Sequence, residues 1–193
     1  AEHGGRLDPG DAILTNNPYL GGTHTNDLQI FMPVYVDDVL VAYAGSIAHH
    51  IDVGGTYAGT ESPLTTEIYQ EGVIFPAIKY VEGGRRNEAV AALVAANVRD
   101  PHSTMGDIGA QLAACKRGIE RVQELCARHG RDTLVEAMEL LLVDTERRAA
   151  ALFSSWPDRE VTVEGFMDGG IDDAPPTRIL LTVTASDGRL CVD

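Results

Sequence analysis

The sequence predicts an α+β protein, with strands first, a helical stretch in the middle and strands again at the end. Three observations predict it. Residues 10 to about 85 are rich in Gly, Pro, Thr and β-branched residues. Between 88 and 153 apolar residues recur every three or four positions, and past Trp156-Pro157 short alternating runs return. This divides the chain into a β-rich region at 1–86, a helical hairpin at 87–156 and a second β region at 157–193.

Ala12–Asn16, Leu28–Val36 and Val39–Ala48 read as strands, the last two joined by the two-residue turn Asp37-Asp38. Pro33 places its strand at a sheet edge or marks a bulge, because it offers no N–H to a ladder. Ile108, Leu112, Cys115, Ile119, Val122 and Cys126 fall on one stripe of a helix, as burial of one face requires. Leu134, Met138, Leu141, Thr145, Ala149 and Leu152 do the same for a second helix. Between them His129-Gly130 supplies a stop, and Thr133 with Glu136 a capping box for the restart. Val161–Met167 and Arg178–Ala185 read as strands around the loop Gly169–Pro176.

Composition narrows the function. Fifteen Lys+Arg against 29 Asp+Glu give a formal charge of −14, a field that repels a phosphate backbone and argues against nucleic-acid binding. No apolar run approaches the roughly 20 residues of a membrane-spanning helix, and no secretory signal opens the chain. The three cysteines Cys115, Cys126 and Cys191 form no CxxC pair. Cys115 and Cys126 are separated by about 16 Å along one helix, too far to bridge. A reducing, cytoplasmic setting is expected. The absence of an initiator Met and the stop within a strand at Cys191-Val192-Asp193 mark both ends as expected cuts.

The chemistry concentrates in Asn16-Asn17-Pro18-Tyr19-Leu20-Gly21-Gly22-Thr23-His24-Thr25-Asn26-Asp27 and His49-His50-Ile51-Asp52-Val53-Gly54-Gly55. A regular ladder from the Asp37-Asp38 turn sets Asn26 opposite His49 and Asp27 opposite Ala48. His24 then lies diagonal to His49, at roughly 7–8 Å between Cα atoms, close enough for two side chains to share an ion. Asp27 falls on the other face with His50 unless a bulge or a bend at Gly21-Gly22 brings it back. Pattern alone leaves His49 and His50 open. Two imidazoles and a carboxylate suit Zn²⁺, Mn²⁺ or Fe²⁺ with open positions; the competing reading is loop-end histidines bonded to backbone. His3, His102 and His129 stand alone and read as surface or capping residues. Glu67 and Glu71 share a side if Thr66–Gly72 is helical, as a base or as a solvated face. Gly54-Gly55 and Gly83-Gly84 lie in no phosphate-loop pattern, and no serine sits in a GxSxG context.

Taken together, Gly10-Asp11, the two segments above, Thr66-Glu67-Ile68-Tyr69-Gln70-Glu71-Gly72, Asn97-Val98-Arg99-Asp100-Pro101, Gly106-Asp107 and Gln111-Leu112-Ala113-Ala114 resemble the hydantoinase B/oxoprolinase family over roughly residues 10–130. That family contains the B-type chains of ATP-dependent hydantoinases, a half of 5-oxoprolinase and the α-type subunits of acetone carboxylases. The resemblance implies a fragment of a longer subunit and a divalent metal, Zn or Mn or else Fe, on His24, Asp27 and His49. A further carboxylate ligand of some relatives would precede residue 1. The family usually carries Asp where this chain has Asn17.

The resemblance further implies ATP bound by a separate A-type subunit or domain, in a hetero-oligomer, with a small amide or ketone as substrate. The implied reaction is ring opening of a hydantoin, N-methylhydantoin or 5-oxoproline; His50, Asp52 and Glu71 are candidates to orient its site from behind the ligands. Its alternatives are a ketone carboxylase subunit of the acetone or acetophenone type, or a catalytically incomplete scaffold fragment.

Overall fold

The structure is a computed structural model that describes residues 7–60, 62–169 and 175–193. His3 and most of the expected 169–176 loop lie outside the described residues. The chain divides into two compact units, one running to Arg131 and the other Asp132–Asp193, so the divide falls inside the 87–156 stretch.

The first unit is built on a five-stranded antiparallel sheet. Its strands are β1 (Ala12–Thr15), β2 (Asp27–Val36), β3 (Val39–His49), β4 (Ile78–Glu82) and β5 (Arg85–Arg86), in the order β3-β2-β1-β4-β5. Asp37 and Asp38 both take positive φ, 51° and 59°, as the tight turn joining two right-twisted strands demands. Gly83 and Gly84 turn the short β4–β5 hairpin the same way, at 54° and 81°. The sequence pattern did not reveal that hairpin, because two residues are too few to alternate visibly.

β2 is an inner strand of the sheet, which corrects the edge reading of Pro33. β1 pairs with β2 only opposite Gln29, Ile30 and Phe31, so Pro33 lies beyond its reach and the strand is locally an edge there. A bulge follows one residue later, between Val34 and Tyr35.

Two helices complete the unit. α1 (Glu88–Asn97) is capped by the Asn87 side chain, and α2 (Pro101–His129) by Asp100, whose carboxylate accepts from Ser103 N at 3.1 Å with Pro101 at the first helical position. α2 packs across β2 and β3. Ile108, Cys115 and Cys126 of its expected stripe are buried, and Leu112 and Ile119 lie against the core. Leu14, Leu28, Ile30, Val53, Phe75, Tyr80 and Val94 fill the space between, each worth about 1.5–3 kcal/mol of removed apolar surface.

The second unit holds most of α3 (Arg131–Ser154) and the antiparallel sheet β6-β7-β8, formed by β6 (Arg159–Met167), β7 (Thr177–Ser186) and β8 (Arg189–Val192). α3 starts at Arg131, so Thr133 lies inside the helix and does not cap it. The stripe from Leu134 to Leu152 is present as a periodicity, yet α3 buries none of its residues. One helix and three strands present too little facing surface to close a core. All three cysteines are free thiols. No described helix is long and apolar enough to cross a membrane.

Candidate metal centre

The site forms at the end of the β2–β3 hairpin away from its turn. Near the turn the register is regular, with Val36 opposite Val39 and Tyr35 opposite Leu40. The next pair is Val34 with Ala42, so Val41 is an extra residue that no partner opposes. From there the ladder runs one step out of phase with the regular one and ends with Asp27 directly opposite His49. Directly opposed residues project from the same face. The bulge foreseen near Gly21-Gly22 is therefore real but lies at the other end, and it places Asp27 and His49 together.

His24 arrives from the preceding loop. Asn17 caps a single 3-10 turn, Pro18–Leu20, by accepting from Tyr19 N at 3.0 Å. That role needs only a side-chain oxygen, which Asn17 supplies. Gly21, at φ 103°, ends the turn, and Asp27 N donates to His24 O at 3.2 Å, curling the loop back over the strand end. His24 Nε2 then lies 3.1 Å from Asp27 Oδ1 and 3.1 Å from His49 Nδ1, and His49 Nδ1 lies 3.3 Å from the same carboxylate oxygen. The imidazole rings are 4.8 Å apart between centroids.

These separations fit a shared ion. Two donors each about 2.0 Å from a tetrahedral cation stand about 3.3 Å apart, and about 2.8 Å at a right angle. Three such donors make one face of a coordination polyhedron and leave the opposite side open. Among the described residues, His24, Asp27 and His49 form the one cluster of His, Cys, Asp or Glu with this convergence.

The other expected residues occupy different positions. His50 N donates to Asn26 O at 2.8 Å, continuing the ladder, and its side chain takes the opposite face from His49. There it is wholly buried and its Nε2 meets Gln111 Oε1 of α2 at 3.0 Å. Gln111 Nε2 donates in turn to Leu28 O at 2.8 Å, which makes the His50 ring the donor in the pair. Asp52 accepts from Gly54 N at 3.0 Å, from Arg99 N at 2.8 Å and from the Arg99 guanidinium at 2.6 Å. Burial works against the Asp52 anion, but the Arg99 amide and guanidinium and the Gly54 amide outweigh it and hold its carboxyl below the ordinary range. Asp52 is thus a brace: the same guanidinium donates to Gly55 O at 2.7 Å and fixes the loop after His49. Glu71 lines an open groove of about 670 Å³ beside His24, with Thr23, Thr60, Ser62 and Thr65.

Several supporting residues were not legible as such. Asn16 Nδ2 donates to Thr25 O at 2.7 Å and Val73 O at 2.8 Å, while its Oδ1 accepts from Phe75 N at 2.6 Å. Asn26 Oδ1 accepts from the Thr60 hydroxyl at 2.6 Å, and Thr60 holds a positive φ of 62°, a strained setting for a β-branched residue. Gln111 had a readable signal, a polar residue inside an apolar helical stripe. Asn16 and Arg99 stand in the motifs quoted above, but nothing in the sequence names their partners, which are the Thr25, Val73 and Phe75 backbone for Asn16 and the Asp52 carboxylate with the Gly55 carbonyl for Arg99.

Comparison with known proteins adds lineage to this geometry. The family model described as Hydantoinase B/oxoprolinase matches residues 1–193. A Pseudomonas sp. (strain NS671) protein that carries the name of a D-/L-hydantoinase subunit is 35% identical over 192 residues, 97% of this chain and 32% of its own length. The acetophenone carboxylase delta subunit of Aromatoleum aromaticum is 28% identical over 193 residues, 99% of this chain and 28% of its own. The crystal structure of ATP-dependent caprolactamase from Pseudomonas jessenii superposes with a TM-score of 0.93 at 28% identity, over 99% of this chain and 33% of that one. The chain spans about a third of the length of these proteins.

Proposed function

The chain belongs to the hydantoinase B/oxoprolinase family, and on that premise we propose that it is the metal-bearing part of an ATP-dependent cyclic-amide hydrolase. The observation that carries this reading is the convergence of His24, Asp27 and His49 within 3.3 Å of one another at the end of one hairpin. A divalent ion held there, Zn²⁺, Mn²⁺ or Fe²⁺, supplies a Lewis acid for a carbonyl oxygen and lowers the pKa of water.

The remaining chemistry belongs to the chain. The groove beside His24 is lined by the polar residues Thr23, Ser62 and Thr65, which suits a ring that carries both carbonyl and N–H groups. Asp52 and Arg99 hold the loop after His49, and Gln111 fixes His50, so the two imidazoles of the cluster keep their places. The substrate is a hydantoin, a 5-oxoproline or a comparable lactam. ATP is bound by a separate A-type subunit of a cytoplasmic hetero-oligomer; the sequence has no phosphate-loop pattern of its own, and the names of the relatives as subunits support a multi-subunit assembly.

The match of 99% of this chain to part of a carboxylase subunit supports a second reading, ketone carboxylation at the same three ligands. ATP turnover by the protein with its partner separates the two. Turnover independent of bicarbonate and driven by hydantoin is the expected result, and strict bicarbonate dependence with a ketone establishes the carboxylase. Elemental analysis tests the site itself. A divalent ion near one per chain is expected, and its absence leaves only the scaffold.

A further inference from the structure

We propose that Glu71 is the general base of the ring-opening step, a proposal that rests on the metal-centre reading above. Its carboxylate takes a proton from water as the water oxygen bonds to the ring carbonyl carbon. The same proton passes to the ring nitrogen as the C–N bond breaks, so the carboxylate ends as it began.

The placement of Glu71 carries the argument. The stretch expected as a helix is a single 3-10 turn, Ile68–Glu71, stopped by Gly72 at φ 124°. Both chemistry-bearing loops clamp its backbone. Thr25 Oγ1, beside His24, donates to Glu71 O at 3.2 Å. Thr56 N donates to Gln70 O at 2.7 Å and Val73 N to Val53 O at 2.9 Å, tying the turn to the segment that follows His49. The packing leaves no slack: a Cβ on Gly72 would lie 2.6 Å from Val53 O, and one on Gly55 2.4 Å from Gln70 O. Such tethering fixes the residue against the two loops that supply His24 and His49.

Glu71 lines both grooves that border His24, each together with Thr23 and Thr65. No described hydrogen bond or ion pair engages its carboxylate, so both oxygens remain able to accept a proton. The competing groups are committed elsewhere or closed off from the groove. The Asp52 oxygens are taken by Gly54 and Arg99, and His50 is sealed behind the sheet against Gln111. Asp27 is engaged by both imidazoles. Glu67 borders only one of the two grooves and Glu71 borders both, so Glu71 is the carboxylate that combines a fixed backbone, free lone pairs and access to each. A positioned base of this kind contributes about 10²–10⁴ in rate.

The test uses the whole protein with its ATP-binding partner and hydantoin, comparing wild type, Glu71→Gln, Glu71→Asp and Glu71→Ala. Glu71→Gln is expected to lower kcat by about 10²–10⁴, to abolish the acidic limb of the kcat–pH profile, and to leave metal content at the wild-type level by mass spectrometry. Glu71→Asp keeps the acidic limb with a smaller fall, and added formate restores part of the kcat of Glu71→Ala. The proposal is overturned by a Glu71→Gln kcat within about threefold of wild type, by an unchanged acidic limb, or by loss of the metal in that variant. A wild-type protein without a divalent ion instead removes the metal-centre reading, which separates the two failures.

Discussion

Leu28, Ile30 and Ile108 in the unit that runs to Arg131 are sealed from water, whereas Leu141, Leu142 and Leu181 in the unit Asp132–Asp193 are 66%, 73% and 39% exposed. Apolar residues recur at helical spacing in both, although in α3 the run Leu140-Leu141-Leu142-Val143 blurs the stripe. Periodicity decides which residues share a face, but burial needs a second layer to cover that face. The first unit has one, since α2 lies across β2 and β3. Among the described residues of the second unit only Ala185 is buried. The buried polar groups follow the same division. Asn16, Asn26, His50, Asp52, Thr60 and Gln111 all lie in the first unit, and they hold the loops that carry His24 and His49.

The contrast can be broken by substitution. Ile30→Ala is expected to cost the first unit about 2–5 kcal/mol, through lost burial and the cavity it leaves. A loss below about 1 kcal/mol in urea denaturation would mean that this interior collapses as freely as a surface. Asp52→Ala follows, at about 1–3 kcal/mol, because the Gly54 and Arg99 amides lose their acceptor. Leu142→Ala in the second unit is expected to stay within about 0.5 kcal/mol, and a larger loss in the same assay would show that its exposed face is covered in solution.

Acid sharpens the same comparison. The Asp52 carboxyl is held low by its Arg99 and Gly54 hydrogen bonds, against burial that pushes it up. Asp11 is also held low, its burial outweighed by the Lys79 ammonium at 2.8 Å and by the Gly83 and Asp8 amides. A carboxyl whose pKa is lower folded than unfolded stabilises the fold fully above the unfolded value of about 3.9, and that contribution disappears as pH falls through the folded value. The first unit is therefore expected to denature at a lower urea concentration at pH 3 than at pH 7. Equal midpoints would contradict the brace assigned to Asp52.

Most elements of the fold were legible. The strands β1, β2, β3, β6 and β7 and the helices α2 and α3 stand where alternation and three-to-four spacing put them. The β4–β5 hairpin was not, being too short for a period, and neither was the exposure of α3, which depends on what faces it. The site was legible in residue type and not in register. A ladder read from the Asp37-Asp38 turn sends Asp27 and His49 to opposite faces, and a single unopposed residue, Val41, reverses that. A bulge carries no composition signal when its extra residue is a valine among valines and alanines. Deleting Val41 leaves Asp27 opposite His49, so metal content is expected to stay unchanged in that variant, and its loss would show that the bulge does more than set the register.

The central claim is that His24, Asp27 and His49 grip one cation, and anomalous diffraction from crystals of the protein tests it most directly. The account predicts one anomalous peak about 2.0–2.2 Å from His24 Nε2, Asp27 Oδ1 and His49 Nδ1, lost in His24→Ala while the helical circular dichroism persists. Density at those three atoms with no anomalous peak, in protein that elemental analysis shows to hold a divalent ion, would place the metal elsewhere and contradict it.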